Sequence, residues 1–185
     1  MNRENFEIIA AKEEDLAGIM KMIKQVVAEL NSRNLTHWHH SYPNTEIFKQ
    51  DIRNNSLFIL KLNGEIIGTI VLNLMKLTSI ELPEYSEVAW EQKRKDKYIV
   101  ISRLAVNPSY HGKGYGQKLI RFAEQYCRGK GYESLRLDTI CKTLNLKNIQ
   151  FYEKCGFKLL KFVYFERRKD FFVMMEKVLV GNPKL

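Results

Sequence analysis

The strongest indication of the fold comes from residues 98–127, which read YIVISRLAVNPSYHGKGYGQKLIRFAEQYC. Its first part, Tyr98–Val106, is a nearly continuous apolar run, which is typical of a central strand covered on both faces. Asn107-Pro108 ends that strand. Segment 111–116 then supplies three glycines, and apolar residues follow at helical spacing up to Cys127. The sequence therefore predicts a strand, a glycine loop and a helix in direct succession.

The glycine loop, residues 111–116, has the features of a phosphate site. Glycines allow close approach of the backbone to a ligand and unusual φ values. The start of the following helix offers free N–H groups and the positive end of the helix dipole. Lys113 adds a positive charge. This combination favours phosphate binding over a loop that merely makes a tight turn.

Three known signatures fail at this loop. The dinucleotide fingerprint G-x-G-x-x-G requires glycine where Gln117 or Leu119 stands. No segment supplies the P-loop pattern G-x-x-x-x-G-K-[ST]. Residues 113–116 match the first four positions of an RNA-recognition motif, but the match stops at Gln117 and the motif requires a strand. The features of the loop therefore favour a phosphate site of another kind.

The rest of the chain reads as alternating strands and helices. Asn63-Gly64 between two β-rich runs is the strongest short hairpin signal. Residues 76–97 are charged and are predicted to form a surface loop. Together the patterns predict one α/β domain over residues 1–185, with a mixed sheet of about seven strands and about four helices. Strands are predicted over 6–10, 57–62, 65–72, 98–106, 134–139, 157–165 and 171–180, and helices over 16–30, 45–52, 119–127 and 145–154.

Composition excludes several classes. The chain has 185 residues and 45% hydrophobic residues, which is enough for a core and argues against disorder. No run approaches the ~18 apolar residues that cross a bilayer, and no secretory apolar segment follows Met1. The three cysteines (Cys127, Cys141 and Cys155) form no CxxC pair, which argues against a disulfide framework or a zinc ribbon. These features predict a cytoplasmic protein.

The net charge of +9 is concentrated in one half of the chain. Residues 1–100 hold 13 basic and 14 acidic side chains, whereas residues 101–185 hold 17 basic and 7 acidic ones. Such a one-sided excess points to a polyanionic partner, which could be a phosphate-rich cofactor, a nucleic acid or a membrane surface.

Two blocks of sequence resemble the GNAT superfamily of acyl-CoA-dependent N-acyltransferases. The family signature Arg/Gln-x-x-Gly-x-Gly/Ala corresponds here to residues 111–116, with His111 in place of Arg or Gln. In the second block Asn145 precedes Tyr152 by seven residues, and Tyr152 opens a Tyr-x-x-x-Gly-Phe run that ends at Phe157. The resemblance is strong over residues 98–160, and the remaining predicted elements suit the same fold.

This resemblance implies a GNAT-like, mostly antiparallel sheet and transfer of an acetyl group from acetyl-CoA to a primary amine in a ternary complex. Asn145 would contact the donor near the far end of its pantetheine arm, and the Tyr152 hydroxyl would point at the thioester sulfur. The backbone of Leu104, Ala105 and Val106 would pair with the arm, and the N–H groups of His111, Gly112, Lys113, Gly114, Tyr115 and Gly116 would cradle the pyrophosphate.

The implied chemistry assigns Tyr152 the role of a proton donor. A thiol has a pKa of ~8.5 and a tyrosine hydroxyl one of ~10, so Tyr152 can donate a proton or hydrogen bond to a departing thiolate. The attacking amine, with a pKa of ~10.4, must first lose a proton. Carboxylates that are candidates for this base by type are Glu81, Glu84, Glu87 and Asp138, and the sequence favours none of them.

The family layout places residues 31–43 near the acceptor. Trp38, His39 and Tyr42 would then line an acceptor pocket for a small-molecule amine or a peptide. Three histidines lie between residues 37 and 40, but no Cys or acidic cluster accompanies them, so no metal is predicted. The acceptor could be a polyamine, an amino acid, an aminoglycoside-like amine or a protein N-terminus, and the protein a monomer or a homodimer.

Two other functions remain open from the sequence. A basic nucleic-acid-binding module is suggested by the charge of residues 101–185 and by the partial match at residues 113–116. The GNAT resemblance disfavours it. A non-catalytic acyl-CoA sensor would share the fold, but the presence of both Asn145 and Tyr152 argues against it.

Overall fold

The structure is a computed structural model that describes residues 5–35, 37–74, 88–91, 97–141 and 146–179. These residues contain seven strands and four α-helices, which confirms the predicted mixed α/β class. The strands are β1 (Phe6–Ala10), β2 (Leu57–Leu62), β3 (Glu65–Leu74), β4 (Tyr98–Val106), β5 (Ser134–Ile140), β6 (Lys158–Phe165) and β7 (Asp170–Val178). The helices are α1 (Leu16–Ser32), α2 (Thr45–Arg53), α3 (Tyr115–Gly129) and α4 (Leu146–Lys154).

The strands form one sheet in the order β1-β2-β3-β4-β5-β7-β6. The pairs β1–β2, β2–β3, β5–β7 and β6–β7 are antiparallel, and β4–β5 is parallel. The sheet is therefore mixed and mostly antiparallel, as predicted. β4 lies fourth of seven, which agrees with the central position that its apolar sequence indicates. Its parallel register with β5 covers Tyr98 to Val100.

The β2–β3 hairpin has the predicted turn. Asn63 has a φ of 48° and Gly64 a φ of 85°, so both turn residues adopt the positive values that a tight two-residue hairpin requires. Leu62 pairs with Glu65 directly across this turn. The register of the hairpin places Leu57 opposite Val71, and both are fully buried.

The chain folds as two compact units. The first unit comprises Met1–Leu72 and Arg103–Phe122, and the second comprises Asn73–Ser102 and Ala123–Leu185. The prediction of a single domain stays a prediction.

The first unit has a core between two helices and the sheet. The apolar face of α1 contributes Ile19 and Ile23, and α2 contributes Phe48. These residues pack with Ile59 of β2 and Ala105 of β4. α2 begins where the sequence indicates, because the Asn44 side chain accepts a hydrogen bond from the Ile47 N–H at 3.0 Å.

The second unit has an apolar cluster formed mainly by its antiparallel strands. Its buried members are Val88, Ile140, Val163, Phe165, Phe172 and Met174. A fully buried carboxylate, Glu176, accepts hydrogen bonds from the Ser134 hydroxyl at 2.9 Å, from Arg136 at 2.8 Å and from the Glu91 N–H at 2.7 Å. The buried charge is thus paired and hydrogen-bonded, as a stable interior requires.

Three predicted features lie partly or wholly outside the described residues. Of the surface loop predicted over 76–97, the structure describes 88–91 and 97. The last strand, predicted over 171–180, is observed at Asp170–Val178, and residue 180 is outside the described part of the chain. Asn145, predicted to start the helix now observed at Leu146–Lys154, is also outside it.

Candidate functional site

The glycine loop follows β4 as predicted, and Asn107 anchors the chain just before it. Asn107 is buried, and its N–H donates to the Ile67 carbonyl at 2.8 Å. Its side-chain amide donates to the Gln25 side chain of α1 at 2.8 Å, and its oxygen accepts the Ser109 N–H at 3.0 Å. A short turn, Pro108–Tyr110, leads from this anchor to the glycines. The end of β4 and the start of the loop are therefore fixed to β3 and α1.

Two of the loop glycines adopt conformations that other residues avoid. Gly112 has a φ of 77° and Gly114 a φ of 81°. A Cβ at Gly112 would meet no atom within 4 Å, and one at Gly114 would meet only the Gln117 side chain, at 3.8 Å. The positive φ values therefore explain why glycine occupies these two positions, since a side chain would not be crowded there. Helix α3 begins at Tyr115, directly behind them.

His111, which stands where the family signature has Arg or Gln, folds back on β4. Its Nε2 lies 2.9 Å from the Val106 carbonyl oxygen. Because a carbonyl oxygen only accepts hydrogen bonds, Nε2 is the protonated ring nitrogen and donates. The side chain therefore bridges the end of β4 and the loop.

Two lysines at the loop lie against aromatic rings. The Lys113 ammonium lies 5.2 Å from the centre of the Tyr110 ring. Lys118, in the first turns of α3, lies 3.7 Å from the Phe6 ring centre and 5.2 Å from that of Tyr115. Among the described residues, neither ammonium forms an ion pair with a carboxylate. Ring faces thus hold these charges in place, and within the described part of the chain no ion pair neutralises them, which favours an anionic ligand.

Tyr152 lies in the last turn of α4, in the second unit. Its ring makes edge contacts with Phe151 and Phe157, at 5.1 and 5.7 Å between ring centres. Within the described part of the chain its hydroxyl has no hydrogen-bond partner. Burial raises the pKa of this hydroxyl well above its ordinary value, and electrostatic interactions with Asp138 and Cys155 raise it further. Tyr152 is therefore a protonated donor with its hydroxyl unengaged by these residues.

The four carboxylates that are candidates for the base differ in whether they lie among the described residues. Asp138, on β5, is half-buried and lies 3.9 Å from a guanidinium nitrogen of Arg168. Glu81, Glu84 and Glu87 are outside the described residues. Asp138 is thus the one of the four candidates whose surroundings are known, and its charge reaches Tyr152.

The three residues predicted for the acceptor pocket fall into two groups. Trp38 is half-buried and packs against the core of the first unit. His39 and Tyr42 exchange two backbone hydrogen bonds, at 2.8 and 3.0 Å, and their rings lie 6.3 Å apart. The His39 ring also contacts the Ser41 hydroxyl at 3.0 Å. The structure thus gives Trp38 a packing role and brings His39 and Tyr42 together in one turn.

One feature at the site was missed from the sequence. Arg103 of β4 forms a bidentate ion pair with Asp51 of α2, at 2.7 and 2.6 Å. The only sequence signal was a charged residue inside an otherwise apolar strand, which can be read as an ordinary exposed position. No local pattern connects it to a helix 52 residues earlier.

No group of three or more His, Cys, Asp or Glu side chains among the described residues is placed to hold a metal ion. None of the helices in the same ranges is long and apolar enough to cross a bilayer.

Comparison with known proteins agrees with the fold and the motifs. The sequence model of the acetyltransferase (GNAT) family matches residues 23–157. An S-alkylcysteine N-acetyltransferase of Bacillus subtilis (strain 168) is 24% identical over 182 residues, which cover 93% of this chain and 90% of that protein.

Solved structures share the fold at low sequence identity. An acetyltransferase of the GNAT family from Streptococcus agalactiae 2603 superposes with a TM-score of 0.75 at 18% identity, and the match covers 95% of this chain and 96% of that one. The ribosomal-protein-S18-alanine N-acetyltransferase from Escherichia coli gives a TM-score of 0.65 at 15% identity, with 98% and 99% covered. With its strand, glycine loop and helix in the family's order and the family match spanning most of its length, the chain belongs to the GNAT acetyltransferase family.

Proposed function

We propose that this GNAT acetyltransferase takes its acetyl group from acetyl-CoA and transfers it to a primary amine by direct attack in a ternary complex. The observation that carries the proposal is the loop between β4 and α3. It combines two glycines with positive φ, open space in front of them, a helix N-terminus and two lysines without acidic partners among the described residues. These are the properties of a site for a diphosphate group.

The residues of the loop have separate tasks in this proposal. The N–H groups of residues 111–116 would hold the pyrophosphate, and Lys113 would add charge. Leu104, Ala105 and Val106 would pair through their backbone with the pantetheine arm. The parallel pairing of β4 with β5 covers Tyr98 to Val100, so these three residues lie past its end. Backbone in such a position is suited to pairing with an extended ligand. Asn145 would contact the arm near its far end.

Tyr152 would supply the proton for the leaving group. Acetyl-CoA provides an acetyl group activated as a thioester. The amine nitrogen forms a bond to the acetyl carbon, the carbon–sulfur bond breaks, and the Tyr152 hydroxyl gives its proton to the departing sulfur. The amine gives up a proton to solvent, and Tyr152 regains one from solvent, so no net proton is consumed. The raised pKa keeps the hydroxyl protonated at neutral pH, which suits hydrogen-bond donation to the sulfur, whereas complete proton transfer to a thiolate becomes less favourable as the tyrosine pKa rises.

The acceptor class that deserves the first test is the α-amino group of a small amino acid. The B. subtilis relative, which matches 93% of this chain, is named for an S-alkylcysteine, and the E. coli structure for an alanine of a ribosomal protein. Both names point to amino acids or peptides as acceptors. At the site, Trp38, His39 and Tyr42 would contact the acceptor.

The test is a panel of amines incubated with acetyl-CoA and the purified protein. Release of free thiol and the acetylated amine are followed together, the latter by mass spectrometry. The panel contains an S-alkylcysteine, other amino acids, an alanine-initiated peptide and a polyamine. The proposal predicts equal amounts of thiol and acetylated product with at least one α-amine. Thiol release without an acetylated amine would show hydrolysis instead and would contradict it.

A further inference from the structure

Arg103 has an unusual backbone conformation for a residue inside a strand. Its φ is 46°, in the left-handed region that residues with a side chain rarely adopt. The other described non-glycine residues with positive φ are three asparagines, which tolerate this conformation well, and Lys169 in a turn. In strands this conformation is found at β-bulges, where the strand bends and its twist increases. Such a conformation persists only where surrounding contacts hold it.

Three hydrogen bonds hold Arg103 in place. Its Nε donates to Asp51 Oδ2 at 2.7 Å and its Nη2 donates to Asp51 Oδ1 at 2.6 Å. Its carbonyl oxygen accepts the Thr69 hydroxyl of β3 at 3.0 Å. The ion pair is largely buried, with 15% of the Arg103 side chain and 7% of the Asp51 side chain exposed. A bidentate pair fixes the direction of the guanidinium as well as its distance.

Asp51 is itself a rigid anchor. It lies on α2, where Phe48 one turn earlier is fully buried in the core of the first unit. The Asp51 carbonyl accepts both the N–H and the hydroxyl of Ser56, each at 3.0 Å. The Asp51 side chain, which holds Arg103, therefore extends from a backbone that is fixed by α2 and by the turn that follows this helix.

Arg103, whose left-handed conformation is typical of a bend in a strand, lies immediately before the segment that we assign to the pantetheine arm. Leu104, Ala105 and Val106 follow Arg103 directly, and Asn107 then anchors the chain again. The direction in which the three backbone units face is set by the conformation of the residue before them. We propose that Asp51 is a positioning residue for the acyl donor, acting through Arg103 to fix the bend that aims residues 104–106 at the arm. This inference rests on the proposed function.

The inference predicts a selective defect. Acetyl-CoA has both a pyrophosphate and an arm, whereas 3′-phosphoadenosine 5′-diphosphate has the nucleotide and pyrophosphate without the arm. Loss of the bend disturbs residues 104–106 and leaves the anchored loop behind Asn107 in place. Acetyl-CoA should therefore bind more weakly while the diphosphate binds as before.

A matched control is available in the same unit. Asp15 pairs with Lys61 at 3.0 Å, and its side chain is 9% exposed, close to that of Asp51. This second pair joins the start of α1 to β2, and the other hydrogen bond of the Asp15 carboxylate comes from the nearby Lys12 N–H. Asp15→Asn therefore removes a comparable carboxylate charge without touching the bend.

The experiment is calorimetric titration of both ligands into wild type, Asp51→Asn and Asp15→Asn, at a temperature where circular dichroism shows each protein folded. The inference predicts that Asp51→Asn weakens acetyl-CoA binding by about tenfold or more and changes diphosphate binding by less than about twofold. Asp15→Asn should change neither. Equal binding of acetyl-CoA by Asp51→Asn and wild type would overturn the inference, as would an equal loss of both ligands.

A second pair of variants tests the backbone conformation at position 103 in the absence of the ion pair. It also provides a test if Asp51→Asn does not fold. Asp51→Asn/Arg103→Gly and Asp51→Asn/Arg103→Ala both lack the ion pair and carry no buried charge at these two positions. Glycine adopts positive φ freely, and alanine does not. The glycine variant should bind acetyl-CoA about tenfold more tightly than the alanine variant, with the same affinity for the diphosphate. Equal acetyl-CoA affinities would overturn the inference.

Failure of the proposed function and failure of this inference give different results. A wild-type protein that does not bind acetyl-CoA would overturn the proposed function together with this inference. A wild-type protein that binds it, beside variants that bind it equally well, would overturn the role of Asp51 alone.

Discussion

At the scale of single residues, the Tyr152 hydroxyl is the most specific chemical prediction. Tyr152→Phe removes the proton donor and keeps the ring contacts with Phe151 and Phe157. Removing a general acid typically costs about 100-fold or more in rate, so kcat should fall by that order. The dissociation constant for acetyl-CoA should stay unchanged, since the hydroxyl acts on the leaving group. Steady-state kinetics and calorimetry measure the two quantities, and an unchanged kcat would remove Tyr152 from the mechanism.

The pKa of Tyr152 also predicts the pH dependence of the reaction. Because burial raises this pKa above the ordinary value of about 10, the hydroxyl stays protonated throughout the range from about pH 7 to pH 10. An amine acceptor loses its proton over the same range. The rate should therefore rise with pH and show no falling limb below about pH 10. A falling limb near pH ~9 that disappears in Tyr152→Phe would contradict this assignment.

Gly114 tests the phosphate loop at a single backbone position. Its φ of 81° is unfavourable for alanine by about 1–2 kcal/mol, which corresponds to about tenfold in affinity if the loop must keep this shape to bind. Gly114→Ala should thus weaken acetyl-CoA binding by about that factor, as calorimetric titration would measure.

The matched control for this substitution is Gly129→Ala. Gly129 ends α3, has no positive φ and would place its new Cβ in open space. This variant should bind acetyl-CoA like wild type. Normal affinity in Gly114→Ala would mean that the loop conformation does not matter for the donor.

At the scale of elements, Gly68 determines how closely α3 packs on the strands beneath it. A Cβ at this position of β3 would lie 3.1 Å from the Ala105 carbonyl of β4 and 3.2 Å from the Leu119 side chain of α3. The leucine can move, but the strand carbonyl cannot move without disturbing β4. Gly68→Ala should therefore lower the free energy of unfolding by about 1–3 kcal/mol. Urea denaturation measures this, and an unchanged midpoint would contradict such close packing.

The elements that the sequence predicts well are those with local causes. The hairpin at Asn63-Gly64 follows from residues that accept positive φ, and β2 has the predicted ends because that turn closes it. The glycine loop likewise lies between a strand and a helix as its composition indicates. In each case neighbours in sequence determine the conformation, so the pattern is sufficient.

The features that escaped prediction arise from contacts between distant parts of the chain. Arg103 and Asp51 are separated by 52 residues, and only the packing of α2 on the sheet brings them together. The same holds for the environment of Tyr152, whose pKa depends on burial and on Asp138 of another element. Motif spacing selects Tyr152 as a candidate, whereas the direction of its pKa shift requires the tertiary structure.

For the whole molecule, the structure shows that several cations in the basic segment 101–185 have carboxylate partners. In the described part of the second unit, cations with carboxylate partners include Arg136 with Glu176, Lys158 with Glu91, Arg168 with Asp138 and Lys177 with Glu124. The first of these pairs is buried. Pairing with these carboxylates leaves fewer unpaired cations for a polyanion. The lysines at the glycine loop lack acidic partners in the described chain, which again favours a phosphate ligand there.

In the proposed function, the backbone N–H groups of the glycine loop hold the acyl donor. Hydrogen–deuterium exchange of the wild-type protein, with and without acetyl-CoA, measures those groups directly. We expect slower exchange on acetyl-CoA binding at residues 111–116 and at 104–106. Acetyl-CoA that leaves exchange in both segments unchanged would contradict it.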